Sequence, residues 1–97
     1  MAKGYIIARV RIDDLETYKK YMERSPGVTA EFGGKFLARG GQTHTAEGEE
    51  ETRRIVLMEF PSFEAAKACY YSDAYQEIKA IRAPAGEAQF LLVEGVD

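Results

Sequence analysis

Four consecutive apolar residues, Ile55-Val56-Leu57-Met58, bracketed by Arg53-Arg54 and Glu59, restrict the folds open to this chain more than any other feature. Neighbouring residues of a strand point to opposite faces, so an unbroken apolar run needs cover on both sides. The strand over 53–60 therefore belongs near the centre of a sheet. A chain of 97 residues has room for one such sheet and about one layer of helices. If helices cover one face, the other must be covered from outside the chain.

The rest of the sequence supplies the partners of that strand. Residues 5–12 alternate, with Ile6, Ala8, Val10 and Ile12 on one face and Tyr5, Ile7, Arg9 and Arg11 on the other. Asp13, with Glu16 three residues later, reads as a capping box opening a helix whose stripe runs Leu15, Tyr18, Met22, Ser25, Thr29 and Phe32. Ser25-Pro26-Gly27 predicts a kink or a restarted helix, and Gly33-Gly34 supplies the left-handed ending. A second strand spans 35–39. Gly40-Gly41 suggests a bulge before the strand pattern resumes over 42–46, and the acidic stretch 47–51 reads as a solvated turn. Ser62 caps a helix to about residue 71, Ser72-Asp73 caps another helical segment to about 82, and 87–93 is the last strand.

The resulting order is βαββαβ. It predicts a ferredoxin-like α+β fold spanning residues 1–97 as a single domain, a four-stranded antiparallel sheet with its helices on one face. Tyr5, Ile7, Leu37, Ile55, Leu57, Leu91 and Val93 then share the helix-free face. An apolar patch of that extent calls for a homodimer formed through the sheet faces.

Charge and composition exclude several function classes. A net charge of -3 with dispersed Lys and Arg lacks the basic stripe that nucleic acid requires. No apolar run approaches the roughly 20 residues of a membrane helix, and Met1-Ala2-Lys3-Gly4 leads straight into a strand, so the expectation is a cytoplasmic protein. One cysteine and one histidine offer neither an internal disulfide nor a zinc constellation, and no cofactor or metal is called for.

The residues Lys3-Gly4-Tyr5, Ala8-Arg9-Val10, Gly33-Gly34-Lys35-Phe36-Leu37, Arg39-Gly40-Gly41, Glu59-Phe60-Pro61-Ser62, Ala68-Cys69-Tyr70-Tyr71-Ser72, Tyr75-Gln76, Arg82 and Val93-Glu94-Gly95 together resemble the domain-of-unknown-function family thirteen-thirty. The resemblance covers nearly the whole chain. It implies the dimeric α+β barrel superfamily, in which two ferredoxin-like subunits pack sheet to sheet and each keeps a small pocket between sheet and helices. It implies no particular activity, since that superfamily includes cofactor-independent monooxygenases, isomerases, haem-binding enzymes and proteins without known catalysis. Pro26-Gly27 departs from the alanine-rich helix expected there.

Arg9, Arg39 and Glu59 share parity with the open face and are expected to meet at a pocket. A guanidinium beside a carboxylate suits recognition of a substrate carboxylate or enolate, although an ion pair that orients two sheets is the plainer reading. His44 is the one side chain that titrates near neutrality without perturbation, and a solvated or interface role is the simpler account. Tyr71 and Tyr75, with Tyr70, form an aromatic cluster around Ser72, and Arg82 follows on the same helical region, so these suit either a pocket wall or packing. Cys69 reads as a buried structural thiol. Two functions fit: a cofactor-independent enzyme or binder of a small metabolite at Arg9, Arg39, His44, Glu59, Tyr71, Tyr75 and Arg82, or a non-catalytic dimeric module.

Overall fold

The computed structural model describes residues 2–97. Strand β1 (Gly4–Ile12) leads into helix α1 (Leu15–Glu31), then β2 (Lys35–Arg39), β3 (Arg54–Phe60), α2 (Phe63–Tyr71), α3 (Asp73–Arg82), a short 3-10 turn (Ala83–Ala85) and β4 (Gly86–Glu94). The strands form one antiparallel sheet in the order β2-β3-β1-β4, so the apolar strand β3 is indeed internal. Ile6 opposes Met58 and Leu92, and Ala8 opposes Val56 and Phe90, which puts the helix-facing residues of the central strands in register.

Local chemistry explains the element ends. Asp14, not Asp13, caps α1: its carboxylate accepts from the Thr17 N–H at 3.2 Å and from the Thr17 hydroxyl at 2.7 Å. The expected cap at Asp13 is displaced because its carboxylate is held by Arg11 at 2.9 and 3.0 Å. Gly33 ends the first helical region with φ +76, and Gly33 and Gly34 donate back to the Ala30 and Thr29 carbonyls. Ser72 serves two helices at once. Its hydroxyl donates to the Cys69 carbonyl at 2.7 Å at the end of α2 and accepts from the Tyr75 N–H at 3.1 Å at the start of α3.

Two expectations about the chain path are corrected. Helix α1 does not restart at Pro26 but runs through it. The β2 irregularity lies not at Gly40-Gly41 but at Leu37, between the Phe36–Met58 and Ala38–Leu57 pairs, and residues 42–46 form no strand. Gly40 instead takes φ +71 at the strand end while its N–H donates to the Ile55 carbonyl at 2.9 Å.

Ile6, Ala8 and Val10 of β1 and Val56, Met58 and Phe60 of β3 pack against Tyr18 and Tyr21 of α1, Ala66 and Cys69 of α2, and Tyr75 and Ile78 of α3. Phe60 and Ile78 are buried almost completely, each contributing about 1.5 to 3 kcal/mol of apolar transfer. Burial pushes the Cys69 thiol up to about 11, with Glu31 adding to the effect, so the sulfur stays protonated and unreactive. The Cα envelope is only 16 Å deep along its shortest axis, the depth of one sheet and one helical layer. On the other sheet face Leu37, Leu91 and Val93 remain 48, 48 and 42% exposed, beside half-buried Tyr5, Ile7, Ile55 and Leu57.

Candidate functional site

Between the sheet and α1 lies a cavity lined by Tyr18, Tyr21, Met22, Phe36, Arg39, Arg54 and Phe90, over a floor that includes Ala8, Val56 and Met58. Its free space is about 10 Å³, the room of one water molecule. Two arginines line this cavity, and a third packs behind its Tyr21 and Phe90 walls. Arg54 comes from β3, where it shares the helix-facing parity of Val56, Met58 and Phe60. Arg39 comes from the end of β2. Arg82 comes from the last turn of α3 and sits one layer further in, its guanidinium 4.5 Å from the Phe90 ring centre and 5.4 Å from that of Tyr21.

The three guanidiniums are spent differently. Arg39 Nη2 donates to the Met22 carbonyl at 2.6 Å and reaches the Ser25 hydroxyl at 3.4 Å, and its guanidinium stacks 4.6 Å from the Phe36 centroid. Arg82 is only 7% exposed and donates to the Tyr75 hydroxyl at 3.3 Å, with the Tyr21 hydroxyl also close, and its Nε has no acceptor. Arg54 stacks 5.8 Å from the Tyr18 centroid and also keeps a buried Nε without an acceptor. Among the described residues no carboxylate pairs with any of the three. Buried charge without a counter-charge is costly, so buried Arg82 is the strongest chemical signal here, whereas Arg54 is only partly buried and Arg39 is exposed.

Two phenols complete the donor set. The Tyr21 and Tyr75 hydroxyls lie 2.8 Å apart, and one hydroxyl proton is used between them. The second remains available to an acceptor. Burial raises both phenols above their ordinary range, so both stay neutral and act as donors.

The sequence-derived site residues separate into groups. Tyr75 and Arg82 meet each other behind the cavity's Tyr21 and Phe90 walls, and Arg39 lines the cavity from the opposite side of the sheet to the one expected. The extra residue Leu37 reverses the parity of β2 beyond it, so Arg39 pairs with helix-facing Val56 and is parted from Arg9 and Glu59. Arg9 stays on the open face, 3.4 Å from Glu51 and donating to Gln89 at 3.0 Å. Glu59, also there, lies 3.4 Å from Lys3 and 3.5 Å from Lys35; desolvation works against its charge, but the two lysines outweigh it and hold the carboxyl below its usual range. His44 sits exposed in the loop over 40–53, beside Thr43, Thr45 and Glu50. Tyr71 is 71% exposed and only stacks on Tyr70. Sequence reasoning missed Arg54, Tyr18 and Tyr21. The available signal was an arginine standing in the helix-facing register of an otherwise apolar strand.

A larger groove of about 510 Å³ opens between Glu49–Arg53 of the loop and Glu87–Gln89 of β4. Its arginines are already neutralised, Arg11 by Asp13 and Glu87, and Arg53 by Glu51. Among the described residues no cluster of three His, Cys, Asp or Glu side chains could hold a metal ion, and no helix is long and apolar enough to cross a membrane.

A match to one family model extends over residues 3–96. The chain belongs to the domain-of-unknown-function family DUF1330. No match among curated proteins reaches significance. Among solved structures, this DUF1330 chain is similar to a protein of unknown function, RPA0582 from Rhodopseudomonas palustris, with TM-score 0.76 and 19% identity over 99% of this chain and 84% of that one. It is also similar to SnoaB, a cofactor-independent oxygenase from Streptomyces nogalater, with TM-score 0.70 and 9% identity over 100% and 96% of the two chains. A third is a dimeric ferredoxin-like protein of unknown function from Thermobifida fusca, with TM-score 0.64 and 13% identity over 98% and 92%. At these identities the likeness establishes the ferredoxin-like fold of this DUF1330 chain and leaves chemistry to its own residues.

Proposed function

We propose that this DUF1330 protein works as a homodimer joined through its open sheet faces, each subunit binding a small metabolite with an oxyanionic group in the sheet–helix cavity. The observation that carries this reading is Arg82, a buried guanidinium with an idle Nε and no carboxylate partner, hydrogen-bonded to a tyrosine pair that retains one free hydroxyl proton. Such a donor set stabilises a carboxylate or an enolate, and if the bound molecule reacts, it favours chemistry that passes through an enolate-like anion. Aromatic walls from Tyr18, Tyr21, Phe36 and Phe90 suit a planar, unsaturated body. Entry requires the unbranched Met22 side chain and the half-exposed Arg54 at the mouth to swing aside, because the resting space holds no more than a water.

Dimerisation is supported by the exposed apolar residues of the helix-free face and by the dimeric description of the Thermobifida fusca neighbour. In that arrangement the paired charges of Arg9 and Glu59 align subunits and take no part in binding. Calorimetric titration with benzoate and with its neutral analogue benzamide tests the reading. Benzoate should bind at least tenfold more tightly. Equal affinities, or no binding of either, would remove the oxyanion site.

A further inference from the structure

Resting on that reading, we infer that the natural occupant carries two oxyanionic groups, one met by Arg54 and the other by Arg82 with the Tyr21–Tyr75 hydroxyls. The two arginines do not form one cluster. Arg54 stacks on Tyr18, whereas Arg82 stacks on Tyr21 and Phe90, and the Tyr18 and Tyr21 ring centres are 5.5 Å apart. Each keeps its own buried Nε without an acceptor. A single carboxylate has two oxygens and suits one guanidinium fork, so it leaves the second cation uncompensated.

Gly40 adopts φ +71, a conformation that favours glycine, and the Arg54 guanidinium lies in the space that a Cβ there would take. Arg39, the third guanidinium, is already committed to the Met22 carbonyl and the Ser25 hydroxyl. The free donors therefore lie at two places, Arg54 on the cavity wall beside Tyr18 and Arg82 behind Tyr21 and Phe90, which fits a planar dicarboxylate or a carboxylate paired with an enolate.

Titration of the intact protein with benzoate and with the three benzene dicarboxylates, phthalate, isophthalate and terephthalate, samples different spacings of two anions on one ring. At least one isomer should bind tenfold or more tightly than benzoate, and Arg54→Gln should abolish that advantage, so that the isomer and benzoate bind alike in the variant. Arg82→Gln should weaken both ligands, with circular dichroism reporting whether that variant folds; Arg54→Gln decides the matter if it does not. If no dicarboxylate exceeds benzoate while benzoate still outbinds benzamide, the single-anion site survives and the two-anion inference is overturned. If benzoate and benzamide bind alike, both readings fall.

Discussion

Arg39 Nη2 lies 2.6 Å from the carbonyl oxygen of Met22, the helical carbonyl that Pro26, lacking an N–H, leaves without its partner four residues on. A proline deep inside α1 is thereby accommodated by a donor from β2, and helix and sheet edge are tied at the mouth of the cavity. This one bond supplies the donor that the helix lacks at Pro26, and the extra residue at Leu37 is what places Arg39 within reach.

Arg39→Met should destabilise the protein by about 1 kcal/mol, the size of a partly exposed hydrogen bond. In a Pro26→Ala background, where residue 26 regains its N–H, the same change should cost much less. Urea unfolding of the four proteins gives the coupling. Additive effects would show that the two residues are independent.

Gly40→Val should lower stability by about 2 kcal/mol, because φ +71 strains a β-branched residue and its Cβ meets Arg54. A melting temperature equal to wild type would mean that this turn tolerates side chains.

Leu91→Glu puts a carboxylate on the open face, where Leu91 opposes Ile7. In a two-fold pairing each dimer receives the charge twice. Sedimentation should find wild-type dimers and folded monomers of the variant. A variant that stays dimeric would place the interface elsewhere.

Arg53, through hydrogen bonds from its side chain at 2.8 and 2.9 Å and from its backbone N–H at 3.1 Å, holds the Glu51 carboxyl at about 2. The folded value lies below the ordinary 4.5, so the stabilisation of the loop is complete above that pH and is lost as pH falls from 4.5 toward 2. Hydrogen exchange of the loop amides around Glu51 should accelerate across that window beyond the intrinsic pH dependence of exchange, and in Arg53→Gln this extra acceleration should be much smaller, because the folded value returns toward 4.5. Identical profiles in the two proteins would rule out the pair as the loop's anchor.

Residue periodicity and capping chemistry were enough to read the element order, the central place of the Ile55–Met58 run, the serine caps and the apolar open face, because each depends on neighbours within a few positions. Arg82 and Tyr75 were also visible as candidates, though not as partners. What the linear order does not contain is the extra residue at Leu37, since a bulge is set by how one strand sits on another, and a shift of one position moves every later side chain to the other face. That shift took Arg39 away from Arg9 and Glu59 and set it against Met22. Tertiary packing alone likewise gathered Arg54, Arg82 and the tyrosines from β3, α1 and α3 around one cavity, because the compensation of a buried charge is decided by distance in space and not by spacing along the chain.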